Sequence, residues 1–260
     1  MFAGKTETMT DTPTLGPDGP PAPRAALIVA HGQPSAPEGP EKTLAAFAGT
    51  VADHLPGWHV QSATLAAPGA LAAAIGALGV TNPVVYPLFM ADGWFVGTNL
   101  PRKLAQAGAA EARVTPPLGL DPGLPALLAA AAAEGARANG WAPEDTAVLL
   151  AAHGSPSHRR PRQAAEAAAR AMAGHATFRT VRTGFVDESP TIAETGADLA
   201  GPALCLPFFA MRNGHVLDDL PEGLADGGFA GPLLAPIGLD PAIPAMTARA
   251  ISRHGHPAPA

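Results

Sequence analysis

The chain has one cysteine, Cys205, among its 260 residues. That excludes a disulfide within the chain and any all-cysteine zinc or iron–sulfur site. Its setting, the apolar run ALCLPFF, makes Cys205 a core strand residue rather than a reactive thiol. Cations are scarce as well: 16 Lys and Arg against 22 Asp and Glu leave a formal charge of −6. Nucleic-acid binding needs a dense cationic footprint to displace phosphate counterions, so DNA and RNA are not expected partners. No apolar stretch approaches the roughly 20 residues of a membrane span; ALLAAAAAEGARA, for example, is broken by charge and glycine. The first two dozen residues are rich in Thr, Pro and Gly and lack the apolar stretch of a secretory signal. They read as a disordered tail over 1–24, and a cytoplasmic location follows. No Gly-x-Gly-x-x-Gly follows the first strand of either half, which argues against a dinucleotide-dependent enzyme.

What the chain does have is one frame written twice. PLFMADGWFVGTNLP at 87–101 and PFFAMRNGHVLDDLP at 207–221 align without a gap and set Phe95 opposite His215. Upstream, AALIVAHG and AVLLAAHG set His31 opposite His153; downstream, PLGLDPGLPALLA and PIGLDPAIPAMTA set Pro117 opposite Pro236. Three matched segments in one order mark an internal duplication, with small drifts in the connecting loops.

The second copy predicts the architecture of both. AVLLAAHG is a short apolar run closed by glycine, as in a buried parallel strand. RRPRQAAEAAARAMAGH reads as an alanine-rich helix stopping near Gly174, and TFRTVRTGFV as a second strand. A short helix follows, with Ser189 as its cap and Pro190 at its first position. ALCLPFFA is the next strand, and HVLDDLPEGLA begins a further helix. Alternating strands and helices predict an α/β fold of two similar lobes, each a parallel sheet flanked by helices, spanning 25–143 and 144–260. Pro143 to Thr146 is the expected connector.

Ligands on such sheets bind at the carboxyl ends of the strands. His153, Glu188 and His215 each follow a predicted strand of the second half, whereas the first half offers His31 alone. Two imidazoles and a carboxylate suit Co2+, Fe2+, Ni2+ or Zn2+ with positions left open. Taken singly, each has a plainer reading: a histidine after a strand is commonly a turn residue, and Glu188 an acid near a helix N-terminus. Together, in a duplicated frame, they specify a site. His158, His175, His254 and His256 lack a matched frame and are expected at the surface.

AVLLAAHGSP, GFVDESPTI, LCLPFFAMRNGHVLDDLP and PIGLDP resemble the class II tetrapyrrole chelatases, specifically the CbiX-like sirohydrochlorin chelatases of cobalamin and siroheme biosynthesis. The resemblance spans nearly all of the chain beyond the tail. It implies a bilobal fold with the macrocycle in the cleft between lobes, and an enzyme that inserts Co2+ or Fe2+ as substrate with no organic cofactor. It places the metal-site histidines on His153 and His215 and the acid on Glu188. Sirohydrochlorin carries several carboxylates, so Arg159, Arg160, Arg162, Arg182 and Arg212 become candidate clamps. His31 joins them as a candidate substrate contact. Trp94 and Phe95 either wall the macrocycle or close the lobe interface. A monomer or weak homo-oligomer is expected.

Overall fold

The computed structural model describes residues 24–212 and 214–255. The expected tail lies outside these residues except for Arg24, which opens the first strand, and His256 also lies outside. In chain order the first half contributes β1 (Arg24–Ala30), α1 (Glu38–Ala52), β2 (Trp58–Thr64), α2 (Ala70–Leu78), β3 (Val84–Pro87), α3 (Leu100–Gln106), β4 (Arg113–Val114) and α4 (Leu124–Ala138). The second contributes β5 (Ala147–Ala152), α5 (Arg159–Met172), β6 (Thr180–Phe185), α6 (Ile192–Ala197), β7 (Ala203–Pro207), α7 (Leu220–Asp226) and α8 (Ile243–Gly255). A 3₁₀ turn, Pro143–Asp145, joins the halves where the connector was expected.

All strand pairs are parallel, in the orders β2-β1-β3-β4 and β6-β5-β7. A single bridge, Cys205 to Leu233, stands where β4 lies in the first sheet. The central strands β1 and β5 are continuous apolar runs because both of their faces are covered. Ala26, Ile28 and Ala30 of β1, with Val148, Leu150 and Ala152 of β5, turn to one shared core between the sheets. Leu27 and Val29 face outward to α2 and α3, and Leu149 and Ala151 face outward to α6 and α7. Cys205 is fully buried beside Leu149, and burial pushes its thiol pKa up.

Helices α1, α4, α5 and α8 fill the layer between the sheets, and here the halves exchange parts. Helix α4 packs on β7 and α5 of the second half; α8 packs on β3 and α1 of the first. Gly135 of α4 sits against Leu204 and Leu234, and Gly255 of α8 against the Trp58 ring. Arg253 of α8 reaches Asp121 of the first half at 3.5 Å. Alanine makes this layer possible: Ala129, Ala132 and Ala136 of α4 and Ala165, Ala168 and Ala169 of α5 present small faces that let the backbones approach.

Two local expectations are corrected. Helix α6 is capped by Thr191, not Ser189, and Pro190 lies outside it. The Thr191 hydroxyl accepts from Glu194 N–H while the Glu194 carboxylate accepts from Thr191 N–H, and this reciprocal capping box satisfies two backbone groups that Ser189 cannot. Ser189 instead donates its hydroxyl to Glu194 at 2.7 Å. The segment expected as a plain helix start is a π turn, His215–Asp219, running into α7; Phe95–Asn99 does the same ahead of α3. Leu220 N–H bonds His215 O, and Leu100 N–H bonds Phe95 O. Pro221 and Pro101 follow directly, and each ring crowds the carbonyl four residues back, which widens the turn. Among the described residues no helix is long and apolar enough to cross a membrane.

Candidate metal centre

His153 follows the last residue of β5, and the chain then turns at Gly154 with φ of 74°. A Cβ at Gly154 would lie 2.8 Å from Glu188 Oε1 and 3.0 Å from Phe185, so the His-Gly pair answers both a left-handed turn and a close approach. Gly32 repeats this in the first half, with φ of 76° and Thr64 at 2.5 Å. His215 opens the π turn after β7, the neighbour of β5 in the sheet. Adjacent parallel strands thus deliver both imidazoles to one rim.

They meet there. His153 Nε2 and His215 Nε2 are 3.0 Å apart, with ring centroids at 4.3 Å and an interplanar angle of 77°. Two ligands about 2.1 Å from one ion, about 90° apart at it, lie about 3.0 Å from each other. The side chains are 44% and 38% exposed, so the pair is open to an incoming group. Behind the rings stand two carboxylates. His215 Nδ1 lies 2.5 Å from Asp219 Oδ2, and His153 Nδ1 lies 3.2 Å from Asp187 Oδ2 and 3.1 Å from Gly154 O.

Glu188, the expected third ligand, does not converge with the imidazoles. Its Oε1 accepts from Ser155 N–H at 2.9 Å and its Oε2 from Arg162 Nε at 2.9 Å. Among the described residues no three His, Cys, Asp or Glu side chains are grouped as a metal cage. Glu188 is held beside the pair as an ion-paired carboxylate, because Arg162 sits one helical turn inside α5 with its guanidinium over the Phe185 ring at 4.8 Å.

The first half reproduces the geometry without the chemistry. The His31 and Phe95 rings are 4.4 Å apart at 81°. The N–H that bonds His153 O belongs to Asp187, whereas the one that bonds His31 O belongs to Ala66. Ala67 therefore matches Glu188, and in the π turn Asn99 matches Asp219. Each acid around the second pair is missing from the first.

The candidate clamps divide. Arg160 donates to Asp92 Oδ2 at 2.6 Å and Asp92 O at 3.0 Å, so it ties α5 to the loop ahead of Trp94 and brings the two rims together. Arg162 is engaged with Glu188 and the Ser189 carbonyl. Arg182 sits within β6, three residues short of its end, and pairs with Asp198 at 3.6 Å; it is not a rim residue. Arg159 and Arg212 are exposed at the rim, with no partner among the described residues. Trp94 is 46% and Phe95 37% exposed, and the two rings meet edge to face at 5.2 Å. Sequence reasoning missed Asp187, Asp219 and Asp92. A signal existed for Asp219, four residues after His215 in a helical segment and opposite Asn99.

The CbiX family model matches the chain twice, over residues 25–135 and 147–254. CbiX described as the terminal enzyme for biosynthesis of siroheme in denitrifying bacteria is 46% identical, with a TM-score of 0.82, over 88% of this chain and 99% of that one. DR2241 from Deinococcus radiodurans, a multi-domain protein with structural similarity to chelatases, is 24% identical with a TM-score of 0.69, over 88% of this chain and 55% of that one. SirB from Bacillus subtilis with Fe3+ is 16% identical with a TM-score of 0.72, over 89% and 95%. These last two share the fold. A search of curated protein sequences finds no match. One family match for each copy of the frame, joined to a full-length relative at 46% identity, means that this chain belongs to the CbiX family.

Proposed function

We propose that the protein is a sirohydrochlorin chelatase of the cytoplasm, inserting Fe2+ or Co2+ into the macrocycle with His153 and His215 as the metal-bearing pair. The observation that carries this reading is the 3.0 Å approach of two Nε2 atoms on an open rim, in the one half where neither partner is phenylalanine. The relative described as the terminal enzyme of siroheme biosynthesis supports the same substrate and favours Fe2+.

The reaction exchanges a divalent ion for the two pyrrole N–H protons of the ring. The ion must lose water, and the imidazoles replace part of that shell while leaving positions open for ring nitrogens. Two protons must leave, and acceptors stand beside the pair: the imidazoles once the metal has moved on, and the Glu188 carboxylate, positioned by Arg162. Arg159 and Arg212, exposed at the rim, supply guanidinium groups for ring carboxylates. Trp94 and Phe95 supply an exposed aromatic wall on the opposite lobe for a flat ligand.

Anaerobic incubation of the protein with sirohydrochlorin and Fe2+ or Co2+ should shift the visible spectrum faster than metal and macrocycle alone, over many turnovers per chain. His215→Phe, which writes the first-half residue into the second half, should lower the rate at least about 100-fold. An unchanged rate in that variant overturns the site, and binding without turnover overturns the enzyme.

A further inference from the structure

We infer that Asp219 and Asp187 are positioning residues for the histidine pair, holding each imidazole in the tautomer whose Nε2 lone pair faces the metal. The inference rests on the metal-site reading above and extends it to the two residues that face the imidazole Nδ1 atoms. Hydrogen-bond accounting leads to it. A carboxylate accepts and cannot donate, so His215 Nδ1, 2.5 Å from Asp219, must carry the proton. His153 Nδ1 faces two acceptors, Gly154 O at 3.1 Å and Asp187 Oδ2 at 3.2 Å, and must carry its proton too. Both Nε2 atoms are then lone-pair donors, 3.0 Å apart.

Two lone pairs at that distance repel unless a cation lies between them. The carboxylates thus enforce a pair that is satisfied by a positive ion and by no neutral arrangement. Without Asp219 the His215 ring can take the other tautomer, and its Nε2–H then donates to His153 Nε2. That closes the pair as an ordinary hydrogen bond and removes a ligand.

The duplicated half separates frame from addition. His31 Nδ1 keeps the backbone partner, Gly32 O at 2.8 Å, but Ala66 and Asn99 stand where the two acids are. The backbone contact belongs to the frame; the carboxylates came only with the second histidine. The two acids are also unequal. His153 retains Gly154 O if Asp187 is lost, whereas Asp219 is the one Nδ1 partner of His215 among the described residues.

The test is Co2+ binding to the protein without macrocycle, followed by the visible ligand-field spectrum, in variants that the fold already tolerates in its other half. Asp219→Asn should weaken Co2+ binding about 10–100-fold, the range typical of lost carboxylate partners to metal-bound histidine. The KM for metal should rise with it while the KM for sirohydrochlorin and the melting temperature hold. Asp187→Ala should have a smaller effect, and Asp219→Glu should recover part of the loss. Co2+ affinity kept within twofold in Asp219→Asn but lost in His215→Phe overturns this inference alone. A Co2+ spectrum indifferent to His215→Phe overturns the metal-site reading and this inference with it.

Discussion

Phe95 and His215 each begin a five-residue π turn, and each sets its ring against the histidine that follows the neighbouring central strand, at nearly the same separation and tilt. The backbone of the first half is therefore ready for a second imidazole, and what it lacks is side chains. Phe95→His alone should create a weak Co2+ site, about 10–100-fold poorer than the native one, because Asn99 leaves the new imidazole free to choose its tautomer and Ala66 leaves His31 with the Gly32 carbonyl but no carboxylate. Adding Asn99→Asp and Ala66→Asp should bring the two sites toward equal affinity. Equilibrium dialysis against Co2+ measures this as a stoichiometry rising from one to two per chain. Phe95 is partly exposed, so its replacement should cost little stability. At this scale the histidine pair was legible because the duplication supplied its own reference. The ion pair of Glu188 was not legible, because a linear sequence does not show that Arg162, a helix away, engages its carboxylate.

Element boundaries followed local hydrogen-bond chemistry that the apolar pattern does not record. The strands β1, β5 and β7 were readable as buried runs between glycines and prolines, but the start of α6 moved past Ser189-Pro190 to the Thr-x-x-Glu box. Thr191→Ala should lower global stability by about 1 kcal/mol, the usual worth of an N-cap, read from the denaturant midpoint at neutral pH. The box also has a pH signature. The Thr191 N–H, then the Ser189 hydroxyl, hold the Glu194 carboxyl below its ordinary pKa. A depressed folded-state value means that the contribution is present above the unfolded pKa of about 4.3 and is lost as pH falls through the folded value. The stability gap between wild type and Glu194→Gln should accordingly be open at pH 7 and close below about pH 4. A gap that stays constant across that window counts against the box.

For the whole molecule, the connector near Pro143 tempts one to see two independent lobes, yet the packing exchanges α4 and α8 across it. Nothing in the sequence announces this, since an alanine-rich amphipathic helix carries no mark of which sheet it will cover. The exchange leads to a definite expectation for separated halves. Residues 144–260 carry both imidazoles and Asp187, Glu188 and Asp219. Residue by residue, that fragment holds the whole centre. Physically it lacks α4, whose fully buried Leu124 and Leu128 join the shared core, while its own α8 keeps buried Ile243, Met246 and Ile251 with no first sheet to cover. Each such side chain contributes about 1.5–3 kcal/mol when buried, against a typical domain stability of about 5–15 kcal/mol. Neither 1–143 nor 144–260 should melt cooperatively alone. Mixed after co-refolding, they should form a one-to-one complex that regains native circular dichroism and Co2+ binding together, with the Arg160–Asp92 contact joining the two rims across the break. Cooperative melting of 144–260 by itself, with Co2+ bound at wild-type affinity, would make the first half dispensable to the centre. The shared core argues that the half lacking the chemistry supplies part of the layer on which the other half's strand ends are held.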